Sequence, residues 1–131
     1  MHLHHVGHAV EDLEEAKARY ALLGFRVRAE GEVESQGVRV AMLEPPGGGA
    51  LLELLEPTGP ETPVGRFLAR RGPGLHHLAF AVPDLEAKLA ELKAQGLPLV
   101  DEAPRPGFGG HLVAFVHPRA FHGVLVELVE E

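Results

Sequence analysis

The chain has 131 residues, 45% of them apolar, with a formal net charge of −7 and no cysteine. That is enough apolar content for one packed core, and it excludes disulfides, thiolate ligands and a cysteine nucleophile. Lysine and arginine form no long run, which argues against a nucleic-acid partner, and no stretch has the length of a membrane span. The N-terminus lacks a secretory signal pattern, so a cytoplasmic protein is expected.

In chain order, residues 3–10 alternate as a strand does, with His5, Gly7 and Ala9 on one face and His4, Val6, His8 and Val10 on the other. Asp12 then caps a helix, with Glu15 three residues on as its capping-box partner. Leu13, Ala16, Tyr20 and Leu23 form its apolar face and Gly24 ends it. Strands follow at 25–29, 37–43 and 50–56, the last two joined by the turn Pro45-Pro46-Gly47-Gly48-Gly49. A short helix is expected over 64–71, closed by Gly72-Pro73-Gly74.

The order then starts again. Leu75-His76-His77 restates Leu3-His4-His5 at an offset of 72 residues (77 − 5). Residues 75–82 form a strand, Asp84 caps a helix with Leu85, Leu89 and Leu92 on its face, and Gly96 ends it. Strands are expected at 97–101, 111–117 and 124–129, with the loop Pro104–Gly110 before the second of these. A repeat of this length means two similar supersecondary units. The reading is a single domain over 1–131: module 1 at 1–57, a linker at 58–74 and module 2 at 75–131. The fold class is α+β, two tandem βαβββ modules forming a pseudo-two-fold half-open barrel around a metal-binding cleft.

Each module ends on a carboxylate inside an apolar strand: Glu53 in Leu51-Leu52-Glu53-Leu54-Leu55 and Glu127 in Leu125-Val126-Glu127-Leu128-Val129. A buried charge is costly unless it is paired or binds a metal. The His-to-Glu spacing is 48 residues in one copy (53 − 5) and 50 in the other (127 − 77). One His and one Glu from each copy make a donor set suited to a divalent Co, Mn, Ni, Fe or Zn ion. Within each His pair, parity selects His5 and His77, whose faces carry only small residues, Gly7, Ala9, Ala79 and Ala81. His4 and His76 belong to the helix-packed side. Taken singly, a strand His is usually a core histidine and a strand Glu an edge residue; the doubled spacing is what favours ligands here.

With these features the sequence resembles the vicinal oxygen chelate superfamily, and within it the methylmalonyl-CoA epimerases. Carrying the second likeness are Glu34-Ser35-Gln36-Gly37-Val38, Glu53-Leu54-Leu55-Glu56-Pro57, Gly74-Leu75-His76-His77-Leu78-Ala79-Phe80, the segment 101–107 and Phe115-Val116-His117-Pro118-Arg119. The resemblance implies the metal set His5, Glu53, His77 and Glu127, an acyl-CoA substrate and a homodimer. It also implies proton removal and return at the carbon between a carboxylate and a thioester. Glu127 is the implied acid/base on one side. Some members carry a second Glu where this chain has Val40, so Glu44, Glu53 and His111 are candidates for the other. Arg66, Arg70, Arg71, Arg105 and Arg119 are candidates for the CoA phosphates. The backbone of Gly107–Gly110 is a candidate for the substrate acid or thioester. Rival readings are a glyoxalase I-like isomerase, an extradiol-type dioxygenase and a metal-free binding protein of the same fold.

Overall fold

The computed structural model describes residues 1–131. Its elements are β1 (His2–Ala9), α1 (Leu13–Ala21), β2 (Arg26–Val33), β3 (Val38–Glu44), β4 (Leu51–Pro57), α2 (Pro63–Arg71), β5 (Gly74–Val82), α3 (Leu85–Ala94), β6 (Arg105–Pro106), β7 (Leu112–Val116) and β8 (Leu125–Glu130). This is the β-α-β-β-β order twice, as the sequence repeat implies, with α2 as the link. The strands form one eight-stranded sheet in the order β2-β3-β4-β1-β5-β8-β7-β6. No helix is long and apolar enough to cross a membrane.

The chain clusters into two compact units, His5–His76, and Met1–His4 with His77–Glu131. In the first, β4 lies parallel to β1 and antiparallel to β3, which pairs antiparallel with β2. The outward faces of β3 and β4 meet α1 in a core of Val10, Leu13, Ala41, Leu43 and Leu54. The second unit repeats the plan: β8 lies parallel to β5 and antiparallel to β7, and β7 pairs with β6. Val82, Leu85, Leu89, Ala114, Val116, Val126 and Leu128 form its core under α3.

The helices start the same way in both units. Asp12 accepts from the Glu15 N–H at 3.1 Å, and Asp84 from the Ala87 N–H at 3.0 Å. A second carboxylate joins each cap: Glu56 Oε2 accepts from Leu13 N and Glu130 Oε2 from Leu85 N, both at 3.0 Å. Glu53 and Glu127 are each followed three residues later by a Glu that ties the strand end to the helix start. A charged acceptor on an otherwise orphan helical N–H is worth more than a neutral one, and the helix dipole adds to it. Replacing Glu130 by Ala is therefore expected to cost about 1–2 kcal/mol, read as a lower urea midpoint at unchanged slope.

One divergence between the copies has a packing cause. His8 stands where the second module has Phe80, and Tyr20 where it has Leu92. Phe80 and Leu92 pack on the second core. His8 Nδ1 instead lies 2.9 Å from the Tyr20 hydroxyl, with the rings edge to face at 5.9 Å. A hydrogen-bonded aromatic pair replaces an apolar one. Desolvation lowers the His8 pKa from 6.5. The folded state then binds this proton less readily than the unfolded chain. His8 contributes stability above about pH 6.5 that is lost as pH falls through the depressed folded value. In the double variant His8→Phe/Tyr20→Leu, the fall in stability below pH 6.5 should be shallower than in the parent, measured by urea unfolding across that range.

Three expectations from the sequence need correction. The strand expected at 25–29 runs to Val33, its alternation of charged residues with Val27, Ala29 and Val33 continuing past Ala29 with Gly31 in the uncharged register. Nearly all of β2 is exposed, so its ladder to β3 holds it rather than a buried face. A β-bulge between Val27 and Ala29 breaks its register, a device that discourages further pairing at a sheet edge. The strand expected at 97–101 is reduced to the bridge Leu99–Val116. Pro98 has no N–H, and the Val100 and Asp101 N–H groups share one acceptor, Phe115 O. The edge strand β6 forms instead at Arg105–Pro106, within the expected loop. Lastly, Leu23 is exposed, because α1 ends before it at Ala21.

Candidate metal centre

Four polar or charged residues are buried in the whole chain: His5, Glu53, His77 and Glu127, each 7% exposed or less. The strands explain their burial. In β1, His5, Gly7 and Ala9 are buried while His4, Val6 and His8 are less so, and β5 treats His77, Ala79 and Ala81 in the same way. His4 and His76 face the other side. His4 Nε2 lies 3.5 Å from Glu131, and the His76 ring meets Phe67 at 4.8 Å.

In the parallel ladders Glu53 pairs with Gly7 and Glu127 with Ala79. Each carboxylate is therefore opposite a small residue two places beyond the histidine on the same face, which leaves it room to lean toward the imidazole. Glu53 Oε1 is 3.4 Å from His5 Nε2, and Glu127 Oε1 is 3.1 Å from His77 Nε2. The edge-to-face contact of His77 with Phe115, at 5.8 Å, fixes that ring further.

These residues form a buried His/Glu cluster able to hold a metal ion, with one ligand atom from each lying within 4.8 Å of the others. The spacing fits. Ligands about 2.0–2.2 Å from an ion stand roughly 3.0–3.5 Å from their neighbours around it, as both His–Glu pairs do. Two neutral imidazoles and two carboxylates also suit a divalent first-row ion better than a hard alkaline-earth ion.

The other candidates from the sequence lie elsewhere. Glu44 ends β3 half-exposed, 3.6 Å from Arg26. His111 is exposed, its ring 6.3 Å from that of His4, on the side of β1 opposite His5. Val40, where some relatives of the resembled family carry Glu, is fully buried. In the glycine loop, Gly107 N donates to His111 O and Gly110 N to Gly107 O, so two of its N–H groups are already spent. Arg66 donates to the Glu61 carbonyl and Arg71 stacks on Phe67. Arg70 and Arg119 are exposed.

A cluster that the sequence reading did not assemble joins the His77–Glu127 pair. Phe115 pairs with Glu127 in the β7–β8 ladder, and its N–H donates to Asp101 at 2.9 Å. Arg105 Nε donates to the same Asp101 oxygen at 3.2 Å, with the guanidinium carbon 5.3 Å from the Phe115 ring centre. The four-residue step from Asp101 to Arg105 was the only sequence signal.

The profile of the Glyoxalase/Bleomycin resistance protein/Dioxygenase superfamily matches residues 4–115. The ethylmalonyl-CoA/methylmalonyl-CoA epimerase of Cereibacter sphaeroides is 38% identical over 129 residues, spanning 96% of this chain and 95% of the relative. The crystal structure of methylmalonyl-CoA epimerase from Mycobacterium tuberculosis is 40% identical and superposes with a TM-score of 0.93, covering 98% of this chain and 87% of that one. A methylmalonyl-CoA epimerase solved in complex with methylmalonyl-CoA and NH4+ is also 40% identical, with a TM-score of 0.92 over 99% of this chain and 94% of that one. This likeness establishes the expected fold class, α+β with two βαβββ modules. The chain belongs to the glyoxalase/bleomycin resistance protein/dioxygenase superfamily and, within it, to the methylmalonyl-CoA epimerase family.

Proposed function

We propose that the protein is a methylmalonyl-CoA epimerase, interconverting the two C2 epimers of a 2-alkylmalonyl-CoA thioester. The observation that carries this reading is the duplicated, buried His–Glu pair: His5 with Glu53 and His77 with Glu127. The names of the relatives supply the substrate class, and the bound methylmalonyl-CoA of one solved relative supports it.

His5, Glu53, His77 and Glu127 would hold one divalent ion of the Co, Mn, Ni, Fe or Zn group. When bound, the ion acts as a Lewis acid toward the oxygen on which enolate charge develops. The chain's residues supply the proton chemistry. A carboxylate takes the C2 proton, and the C–H electron pair moves to the thioester oxygen. Return of a proton to C2 from the opposite face inverts the centre. Glu127 is one proton carrier. For the other, Glu53 is preferred over Glu44 and His111, because it alone is buried beside a histidine of the cluster. The burial of both pairs limits competition from water for either proton. We further propose that the enzyme acts as a cytoplasmic homodimer, which light scattering of the purified protein would test.

Substrate challenge tests the assignment. Metal-loaded protein is expected to racemise single-epimer methylmalonyl-CoA and to leave the hemithioacetal of methylglyoxal and glutathione unchanged. Turnover of the hemithioacetal alone would replace the epimerase reading with a glyoxalase I-like one.

A further inference from the structure

We propose a second metal site at the surface, where His2, His4 and Glu131 bind one divalent transition ion, with His111 beside them. It is separate from the buried cluster and does not depend on the epimerase reading. Strand alternation puts His2 and His4 on one face of β1, opposite the face that carries His5. Both rings meet a single carboxylate: His2 Nε2 lies 3.1 Å from Glu131 Oε1, and His4 Nε2 lies 3.5 Å from Glu131 Oε2. The backbone of Glu131 is anchored, because its N–H donates to the Val82 carbonyl at 2.9 Å. The His111 ring stands 6.3 Å from that of His4. The register that pairs Val113 with Val129 brings His111 to the same end of the β7–β8 ladder as Glu131. All four residues belong to one compact unit.

The donors and their spacing define the ligand. Neighbouring ligands around a first-row ion stand roughly 3.0–3.5 Å apart, and both imidazole–carboxylate distances fall in that range. Imidazoles with a carboxylate favour Ni²⁺, Cu²⁺ or Zn²⁺ over Mg²⁺ or Ca²⁺. A net charge of −7 favours cation binding at the surface in general. Exposure is graded across the site: the His4 side chain is 14% exposed, Glu131 45% and His2 64%. The fold places the inner donors, and the exposed His2 ring turns in to complete the chelate. Ordering that ring costs free energy that a preformed site does not spend. The surface site is therefore weaker than the buried one, whose four donor atoms already stand within 4.8 Å of one another. A bound ion ties the start of β1 to the end of β8.

The test is a calorimetric titration of untagged, chelator-stripped protein with Ni²⁺. A tight ion and a weaker second ion per chain are expected. His2→Gln and Glu131→Gln should each weaken the second ion by more than about 10-fold, the least that loss of even an outer-shell partner costs. Both should leave the tight ion unchanged, which also shows that the variants fold. His77→Ala should do the reverse. His122→Asn is the control: it removes another exposed imidazole, and Asn accepts the left-handed backbone found there, so neither ion should change. The absence of any ion sensitive to His2→Gln would overturn the proposal, as would an equal loss in His122→Asn. Failure of the buried site would look different. The one ion found would then be lost in His2→Gln and kept in His77→Ala, and the surface site would stand.

Discussion

Replacing Glu127 by Gln is expected to lower the epimerisation rate by about 10²–10⁴-fold, the usual worth of a positioned acid or base. Gln keeps the shape of Glu and can still occupy the space opposite Ala79 in β8, so the strand and its ladder should survive. What it loses is negative charge and basicity at an atom 3.1 Å from His77 Nε2. Initial rates from single-epimer substrate measure this. Glu53→Gln should show a comparable loss if Glu53 serves the second face. Glu44→Gln should stay within about 3-fold of the parent, since a half-exposed carboxylate paired with Arg26 lies outside the cluster. A large loss in Glu44→Gln with little in Glu53→Gln would move the second proton carrier to Glu44.

The second large effect concerns metal content. His77→Ala should lower divalent-ion affinity by more than about 100-fold, beyond what loss of an outer-shell partner costs. The reason is direct: the variant removes one of the four proposed donors, and an imidazole buried in mid-strand has no nearby substitute. His76→Ala is the matched control. It lies one residue away, but strand alternation turns it to the Phe67 side, and metal content should stay at the parent level. Elemental analysis after dialysis against limiting metal separates the two. Equal loss in both variants would contradict the side-chain parity on which the ligand choice rests.

The duplication made much of this legible in advance. Two Leu-His-His strands and two carboxylates at matched spacing identified the modules, and the small residues Gly7 and Ala79 pointed to the face that carries the buried histidines and carboxylates. The same repeat also held the helix-tying carboxylates Glu56 and Glu130, each three residues beyond a proposed ligand. They escaped notice because a Glu at a strand end has no unusual local pattern. β2 was legible only in part, since beyond Ala29 its alternation with charged residues is carried by Gly31 and Val33 alone, and the strand buries no face. The Asp101–Arg105–Phe115 contact was hardly legible, its one signal being the four-residue step from Asp101 to Arg105. It depends on the Asp101 segment making irregular bonds to β7 rather than forming the strand that its composition suggests. His8 stands in place of Phe80 because Tyr20 stands beside it in place of Leu92, a pairing that the residues show only once strand and helix are packed together.

The most direct measurement is proton NMR of methylmalonyl-CoA in deuterium oxide with the purified protein. The account predicts loss of the C2 proton signal when a divalent ion of the Co, Mn, Ni, Fe or Zn group is present, with the signal retained after chelation. A C2 proton that persists with metal-loaded protein, or exchange that is unaffected by chelation, would contradict it.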